Sequence, residues 1–177
     1  MDTFDGWGSL RGPIPSVVDR YYTKFYAIDV KGRENEDHCI LQHSNRVMIV
    51  CLAETHPLIK DQSSNEVREI EFQIGKVDRS DNPVSGRFKK GGQKLTATSP
   101  IAIVHTKDNK KYVLYSCLKG MLVEINDQLL KEPQLLQIEP QGRGYIAILL
   151  PNKLNEASTV TESLLSEESY KTLRQIK

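Results

Sequence analysis

Long apolar runs are missing from this chain. Its most apolar stretch, Tyr145–Leu150, is far short of the roughly 20 residues that cross a bilayer as a helix. The opening residues hold Asp2, Asp5 and Arg11 and no apolar segment of the secretory kind, so no targeting signal is expected there. Net charge is also scarce, at +1 from 24 basic and 23 acidic side chains. That gives no global attraction to nucleic acid or anionic membrane, and any basic surface has to be a local patch. Cysteine is limited to Cys39, Cys51 and Cys117, an odd, widely spaced set without a C-x-x-C pair. The set reads as free thiols in a reduced cytosolic or nuclear compartment rather than as a disulfide framework or a zinc anchor. Gly91-Gly92 and Gly142-x-Gly144 lack the strand-to-helix setting, lysine and hydroxyl of a phosphate loop, and read as turn glycines.

What is present is enough for one domain. The 177 residues are 38% hydrophobic and 27% charged, which suits a modest core with polar ends. Three parts are expected: a glycine- and proline-bearing N-terminus over residues 1–15, disordered by composition, a β domain over residues 16–151, and a polar tail with a final helix over residues 152–177. Ser16-x-x-Asp19 has the form of a capping box, and Val17/Tyr21 and Val18/Tyr22/Phe25 recur at helical spacing, predicting a short amphipathic helix from Val17 to about Tyr26.

Beyond it the period becomes two. His38–Gln42 and Arg46–Ala53 read as a hairpin turning at His43-Ser44-Asn45, with His38, Ile40 and Gln42 on one face and Cys39 and Leu41 on the other. Glu66–Gly75 alternates Ile70, Phe72 and Ile74 against polar neighbours, as a half-buried strand does. Ile101–Thr106 and Lys111–Ser116 form a second hairpin, with Asp108-Asn109 expected at its centre because both residue types tolerate positive φ. Met121–Ile125 and Tyr145–Leu150 complete the strands, and Ser166 is placed to cap a last helix with Glu167 and Glu168 in its first turn and Arg174 near its end. Strands at short spacing predict a small all-β sandwich or barrel with terminal helices.

Two constellations could carry chemistry. Asp37-His38-Cys39 with His43, Cys51 and His56 could bind metal or host a thiol nucleophile. The alternative has Asp37, Gln42 and His43 hydrogen-bonding around a turn, with Cys39 packed inward; that reading leaves no metal site and no catalytic residue. The second is basic: Arg87, Lys89 and Lys90 near one glycine turn and Lys107, Lys110 and Lys111 at the hairpin tip. If both turns share a side, they form a cationic patch for an acidic partner or for RNA. Poor aromatic interleaving weakens the RNA reading, and a solvated face is the plain alternative.

Two family resemblances can be read from these residues. Phe88-Lys89-Lys90-Gly91, Cys117–Asn126, Pro133-Gln134-Leu135-Leu136 and Glu139–Ile146 together resemble the lipoyl/biotinyl-carrier families, nearest the H-protein of the glycine cleavage system, over roughly residues 84–151. The resemblance implies a mainly β barrel-sandwich hybrid in which a lysine at a hairpin apex carries a lipoyl or biotinyl arm. Counting back from Gly120, that lysine's place falls on Asn109, flanked by Lys107 and Lys110; a slip of one residue would put Lys110 there instead. An amide cannot take the modification, so no cofactor is expected.

The second resemblance spans Ser16 to about Leu165 and is carried by Asp19-Arg20-Tyr21, the unbroken Glu36–Arg46, Leu52–Pro57, Val84–Lys89 and Gly144–Ala147. These look like the Abitram (Simiate) family. That resemblance implies a non-enzymatic protein that binds monomeric and filamentous actin, modulates actin assembly and transcription, and resides in nuclear speckles, cytoplasm and actin-rich cell projections. An H-protein-like acyl carrier and a nuclear RNA-associated adaptor are the competing readings.

Overall fold

Alternation along His38–Leu52 decides how the layers lie. In the computed structural model, which describes residues 16–85, 91–151 and 160–176, this segment is a hairpin whose two faces belong to different cores. Ile40, Met48, Val50 and Leu52 enter the main core, whereas Cys39, Leu41 and Cys51 enter a second cluster on the opposite face. All seven are almost fully buried.

The described elements, in chain order, begin with α1 (Val17–Tyr21), β1 (Tyr22–Ala27), β2 (His38–His43), β3 (Met48–Leu52) and α2 (Pro57–Lys60). They continue with β4 (Val67–Glu71), β5 (Gln73–Ile74), β6 (Val77–Asp78), β7 (Lys94–Leu95), β8 (Pro100–Thr106) and β9 (Lys111–Tyr115). The last are β10 (Gly120–Ile125), α3 (Gln128–Lys131), α4 (Leu135–Ile138), β11 (Ala147–Leu150), β12 (Leu165–Ser166) and α5 (Glu167–Arg174). Seven strands pair in the order β12-β1-β2-β3-β11-β10-β7, three in the order β4-β8-β9, and β5 and β6 make a small ribbon. The main core lies between the two larger sheets, where Ile40, Val50, Leu122 and Leu149 meet Ile70, Ile101, Val104 and Leu114. Burying each such side chain contributes roughly 1.5–3 kcal/mol.

On the outer face of β1–β3 lies α5, its N-cap Ser166 accepting from Ser169 N–H. Tyr170 of α5 is fully buried and stacks on Tyr26, with ring centroids 3.8 Å apart and planes 4° from parallel. Together the two large sheets and their enclosed core form the barrel-sandwich arrangement of lipoyl-carrier-like domains.

Two expectations need correction. The predicted Val17–Tyr26 helix ends at Tyr21: Ser16 does cap it, accepting from Asp19 N–H, but the following six residues form β1, which pairs with β2 from Tyr22↔His43 to Ala27↔His38. Helical spacing there lost to a full ladder against an available strand, a tertiary gain that outweighs weak local propensity. At the second hairpin Asn109 alone takes positive φ (58°), and Asn109 N–H bonds to Thr106 O, so Lys107 and Asp108 are the central pair. Between β10 and β11 the chain also forms the single-turn helices α3 and α4.

Candidate functional site

The hairpin tip is built by three short-range bonds. Thr106 N–H donates to Lys110 O (3.0 Å), Lys110 N–H to Thr106 Oγ1 (3.1 Å), and Asn109 N–H to Thr106 O (3.1 Å). A tight turn followed by a left-handed residue matches the twist of the strands, and asparagine is one of the few non-glycine residues that tolerates that position. Asn109 therefore follows the central pair because the turn needs a left-handed residue there.

The tip is also tied sideways to Ser64–Glu66, just before β4. Lys107 N–H donates to Glu66 O (2.9 Å), and its ammonium pairs with Glu66 Oε1. Lys110 Nζ donates to Asn65 Oδ1 (2.9 Å), which also accepts from the Tyr112 hydroxyl (3.0 Å). Asn65 is itself fixed, donating to Pro57 O and accepting at its carbonyl from Gln137 Nε2. The Lys107–Glu66 pair is exposed and contributes at most about 1 kcal/mol. Its larger effect is on the surface charge, since it cancels one of the three lysines. The Lys111 side chain is exposed and has no hydrogen bond or ion pair among the described residues.

Arg87, Lys89 and Lys90 lie outside the described residues. Gln93, shortly after them, bonds to Arg79, whose Nε donates to Pro100 O. This places Gln93 near the Pro100 end of seven-residue β8, roughly 20 Å along the strand from the Thr106 end that carries the tip.

The Asp/His/Cys constellation is tied into the fold by hydrogen bonds and packing. Asp37 does not serve the nearby turn; fully buried, it accepts from Asp29 N–H (2.8 Å), the Thr55 hydroxyl (2.7 Å), the Tyr170 hydroxyl (3.2 Å) and the Arg174 guanidinium (2.9 Å at each oxygen). Arg174 also pairs with Asp29 (2.6 Å). Nothing in sequence spacing pointed to these partners, since Asp37 and Arg174 are 137 positions apart.

His38 Nδ1 faces Glu36 O (3.2 Å) and Nε2 accepts from Tyr115 N–H (3.3 Å), which fixes a neutral ring with its proton on Nδ1. His56 Nδ1 accepts from Leu58 N–H (3.1 Å) and caps α2, while its buried Nε2 has no hydrogen-bond partner among the described residues. The two rings meet edge to face at 5.8 Å. Cys39 and Cys51 are direct cross-strand partners beneath Tyr26 and Tyr170. Burial holds both as thiols, pushing Cys39 up to about 12, so neither is a ready nucleophile. Among the described residues no three His, Cys, Asp or Glu side chains are grouped to hold a metal ion.

The buried imidazoles do make the fold acid-sensitive. Burial lowers His38 to about 4, and burial together with neighbouring His38 takes His56 well below its usual 6.5. From pH 6.5 downward the unfolded chain therefore binds protons that the folded chain refuses. Stability is full above 6.5 and is lost as pH falls towards 4, by roughly 3 kcal/mol for His38 alone. Glu36, whose carboxyl is raised by burial, acts in the opposite sense, but only near the carboxylate range at the low end of this window. A urea midpoint that stays constant between pH 7 and pH 5 would contradict this.

Protein Abitram of Xenopus tropicalis is 48% identical over 157 residues, covering 88% of this chain and 84% of that protein. The human protein of that name is 45% identical over 158 residues (89% and 86%), and that of Dictyostelium discoideum 32% over 164 residues (91% and 89%). The chain belongs to the Abitram family. The family model of the glycine cleavage H-protein matches residues 62–176. That match starts at the loop before β4 and runs through α5, well beyond residues 84–151. A glycine cleavage system H protein from Mycobacterium marinum superposes with a TM-score of 0.57 at 14% identity, covering 87% of this chain and 98% of that one. At that identity the likeness concerns the fold alone. This Abitram chain thus has a carrier-type domain.

Proposed function

We propose that this Abitram-family chain is a non-enzymatic binding protein that engages actin and modulates its assembly, using a carrier fold from which the carrier chemistry has gone. The observation that carries the reading is the apex: the position that resemblance assigns to the acylated lysine is an asparagine fixed in the left-handed turn. Its neighbours support it, since the Lys107 and Lys110 amines are directed into Glu66 and Asn65 rather than presented free. The buried thiols and histidines offer no nucleophile–base pair in a cleft. Actin, a role in transcription, and residence in nuclear speckles, cytoplasm and cell projections come from the family resemblance. The exposed Lys111, the basic run Arg87, Lys89 and Lys90, and the tip residues Lys107 and Lys110 are the contacts proposed for actin's acidic surface.

Co-sedimentation with filaments and a monomer-binding titration test this reading. Reversal of Lys89, Lys90, Lys110 and Lys111 to glutamate should weaken binding about tenfold, roughly 1.4 kcal/mol. Equal binding by the reversed variant would remove the basic patch from the proposal, and no binding by wild type would remove actin. The carrier reading is tested separately. After co-expression with a lipoyl ligase the intact mass should be unchanged, and an adduct on Lys107 or Lys110 would establish a carrier instead. RNA binding with a steep salt slope would favour the adaptor reading.

A further inference from the structure

β2 and β3 bring two of the three cysteines face to face. Cys39 and Cys51 are Cα partners in a ladder that runs without a register shift from His38↔Leu52 to Gln42↔Met48. Ala53 N–H donates to Asp37 O (3.2 Å) on one side of the pair, and His43 N–H to Val47 O (2.9 Å) on the other. Hydrogen-bonded and open pairs alternate along an antiparallel ladder, so Cys39 and Cys51 form a hydrogen-bonded pair, with Cα atoms about 5.5 Å apart. A disulfide spans roughly 4.4–6.8 Å between Cα atoms, so the backbone already stands at bridging distance. The Cβ atoms have to close by about 1 Å, which leaves such a bond strained and readily reduced. Both side chains pack on the outer face with Tyr26, Leu41, Ala53 and Tyr170, whereas Cys117 lies in the main core.

α5 helps to cover the pair. Both thiols are fully buried, Tyr170 of α5 sits in their cluster, and Ile176 just beyond the helix packs against it. Burial is the main influence raising the Cys39 thiol; the Tyr26 hydroxyl and the Lys24 ammonium lower it, and Glu167 and Glu54 raise it further. Part of the burial and the whole of the Glu167 charge come with α5, whose first turn holds Glu167. Lys24 and Tyr26 belong to β1 and stay when the helix leaves. Cys51 has no such help, since burial raises it and so does Cys39. Release of α5 therefore uncovers the pair and favours a thiolate at Cys39 rather than at Cys51. A single docked helix opens at lower cost than the whole domain, and Arg174, bonded to Asp37 and Asp29, sets that cost.

We propose that Cys39 and Cys51 are a reversible oxidation site, uncovered by release of α5 and closed into a disulfide by a peroxide. The Cys39 thiolate attacks one peroxide oxygen, the O–O bond breaks, and the departing oxygen takes up a proton and leaves as water or an alcohol. Cys39 is left as a sulfenic acid. The Cys51 thiol then attacks that sulfur; the S–S bond forms, the S–O bond breaks, and the oxygen leaves as water with the Cys51 proton. Two thiols have lost two electrons and two protons, and the peroxide has been reduced. A thiol reductant reverses the bond by exchange. The proposal rests on neither the actin reading nor the carrier reading.

Intact mass and thiol counting on the full chain provide the test, with hydrogen peroxide as the oxidant. The folded wild type should lose the mass of two hydrogens. Once denatured, it should then take up an alkylating reagent at Cys117 alone instead of at all three cysteines. Digestion should give a peptide joining Cys39 to Cys51 that disappears with dithiothreitol. Cys51→Ser should stop at a sulfenic acid on Cys39, trapped by dimedone, whereas Cys39→Ser should give no such adduct. Arg174→Ala should speed disulfide formation at least about tenfold, and the milder Arg174→Lys should fall between it and wild type. Leu114→Ala, which hollows the main core in the other sheet, should speed it far less. Equal acceleration by Leu114→Ala and the Arg174 variants would place the reaction in the unfolded chain and overturn the role of α5. Three free thiols in folded wild type, under peroxide that oxidises the urea-unfolded chain, would overturn the site itself. So would a sulfenic acid that forms first on Cys51.

Discussion

Arg174→Ala is expected to cost about 3–5 kcal/mol of stability, a fall of roughly 6–20 °C in Tm for a domain of this size. Asp37 has no exposed side-chain surface, and Arg174 is only 16% exposed. Arg174 reaches both Asp37 oxygens and crosses to Asp29, closing α5 onto the ends of β1 and β2. Removing it leaves a buried carboxylate whose remaining donors are neutral: Thr55, Tyr170 and the Asp29 amide. Those bonds offset part of the desolvation cost but supply no counter-charge.

Asp37→Ala should cost less, because Arg174 keeps Asp29, which is 40% exposed and lets solvent share the charge. The double variant should lie well short of the sum of the singles, with a coupling of about 2 kcal/mol, because each single change already disables the pair. Arg174→Lys should recover only part of the loss, since an ammonium cannot span two carboxylates as a planar fork does. Urea denaturation of the four variants measures this. Simple additivity would mean that the pair is not coupled, and that α5 is held by the Tyr26–Tyr170 stack and its apolar contacts alone.

That pairing also marks where sequence reasoning stopped. Local signals were read well wherever their cause was local. Ser16 and Ser166 are side-chain caps, each accepting from an amide three residues on, and the His38–Leu52 alternation sorts into two cores as the period of two requires. Asn109 was recognised as a turn residue for the right reason, its tolerance of positive φ, although the turn is closed one position earlier than expected. The misses have long-range causes. Tyr22–Ala27 carries helical spacing, yet its backbone completes a ladder on β2 that no local window reveals. Asp37 sits beside a hairpin in sequence and spends its acceptors on a helix at the other end of the chain. Glu66 and Asn65 lie about forty positions from the lysines they restrain, and polar loop residues give no hint of such a role.

Gly144→Ala is the second large expected effect, and its contrast with Gly142→Ala makes it specific. Neither glycine has the positive φ that would by itself demand glycine, so space decides. A Cβ on Gly144 would lie 2.0 Å from Leu135 O, 2.6 Å from Leu135 C and 2.8 Å from Glu139 O, all of them backbone atoms of α4 and its end. Relief by a shift of the chain is blocked on both sides. The Asn126 amide donates to Arg143 O (2.7 Å) and to Tyr145 O (2.8 Å), and Ile146 N–H donates to Val50 O (2.8 Å) as the chain enters β11. Moving Gly144 away from α4 would break these bonds or displace a central strand of the larger sheet. A loss of about 3 kcal/mol or more is expected, at the upper end of overpacking effects. A Cβ on Gly142, by contrast, meets the Glu139 side chain first, at 3.3 Å, and that carboxylate can swing away at the cost of its exposed bond to Arg143. Gly142→Ala should therefore stay within about 0.5 kcal/mol of wild type. If thermal melts show the two variants equally stable, the tight approach of Gly144 to α4 does not constrain the fold, and the Gly-x-Gly pair is a turn in which either position tolerates a side chain.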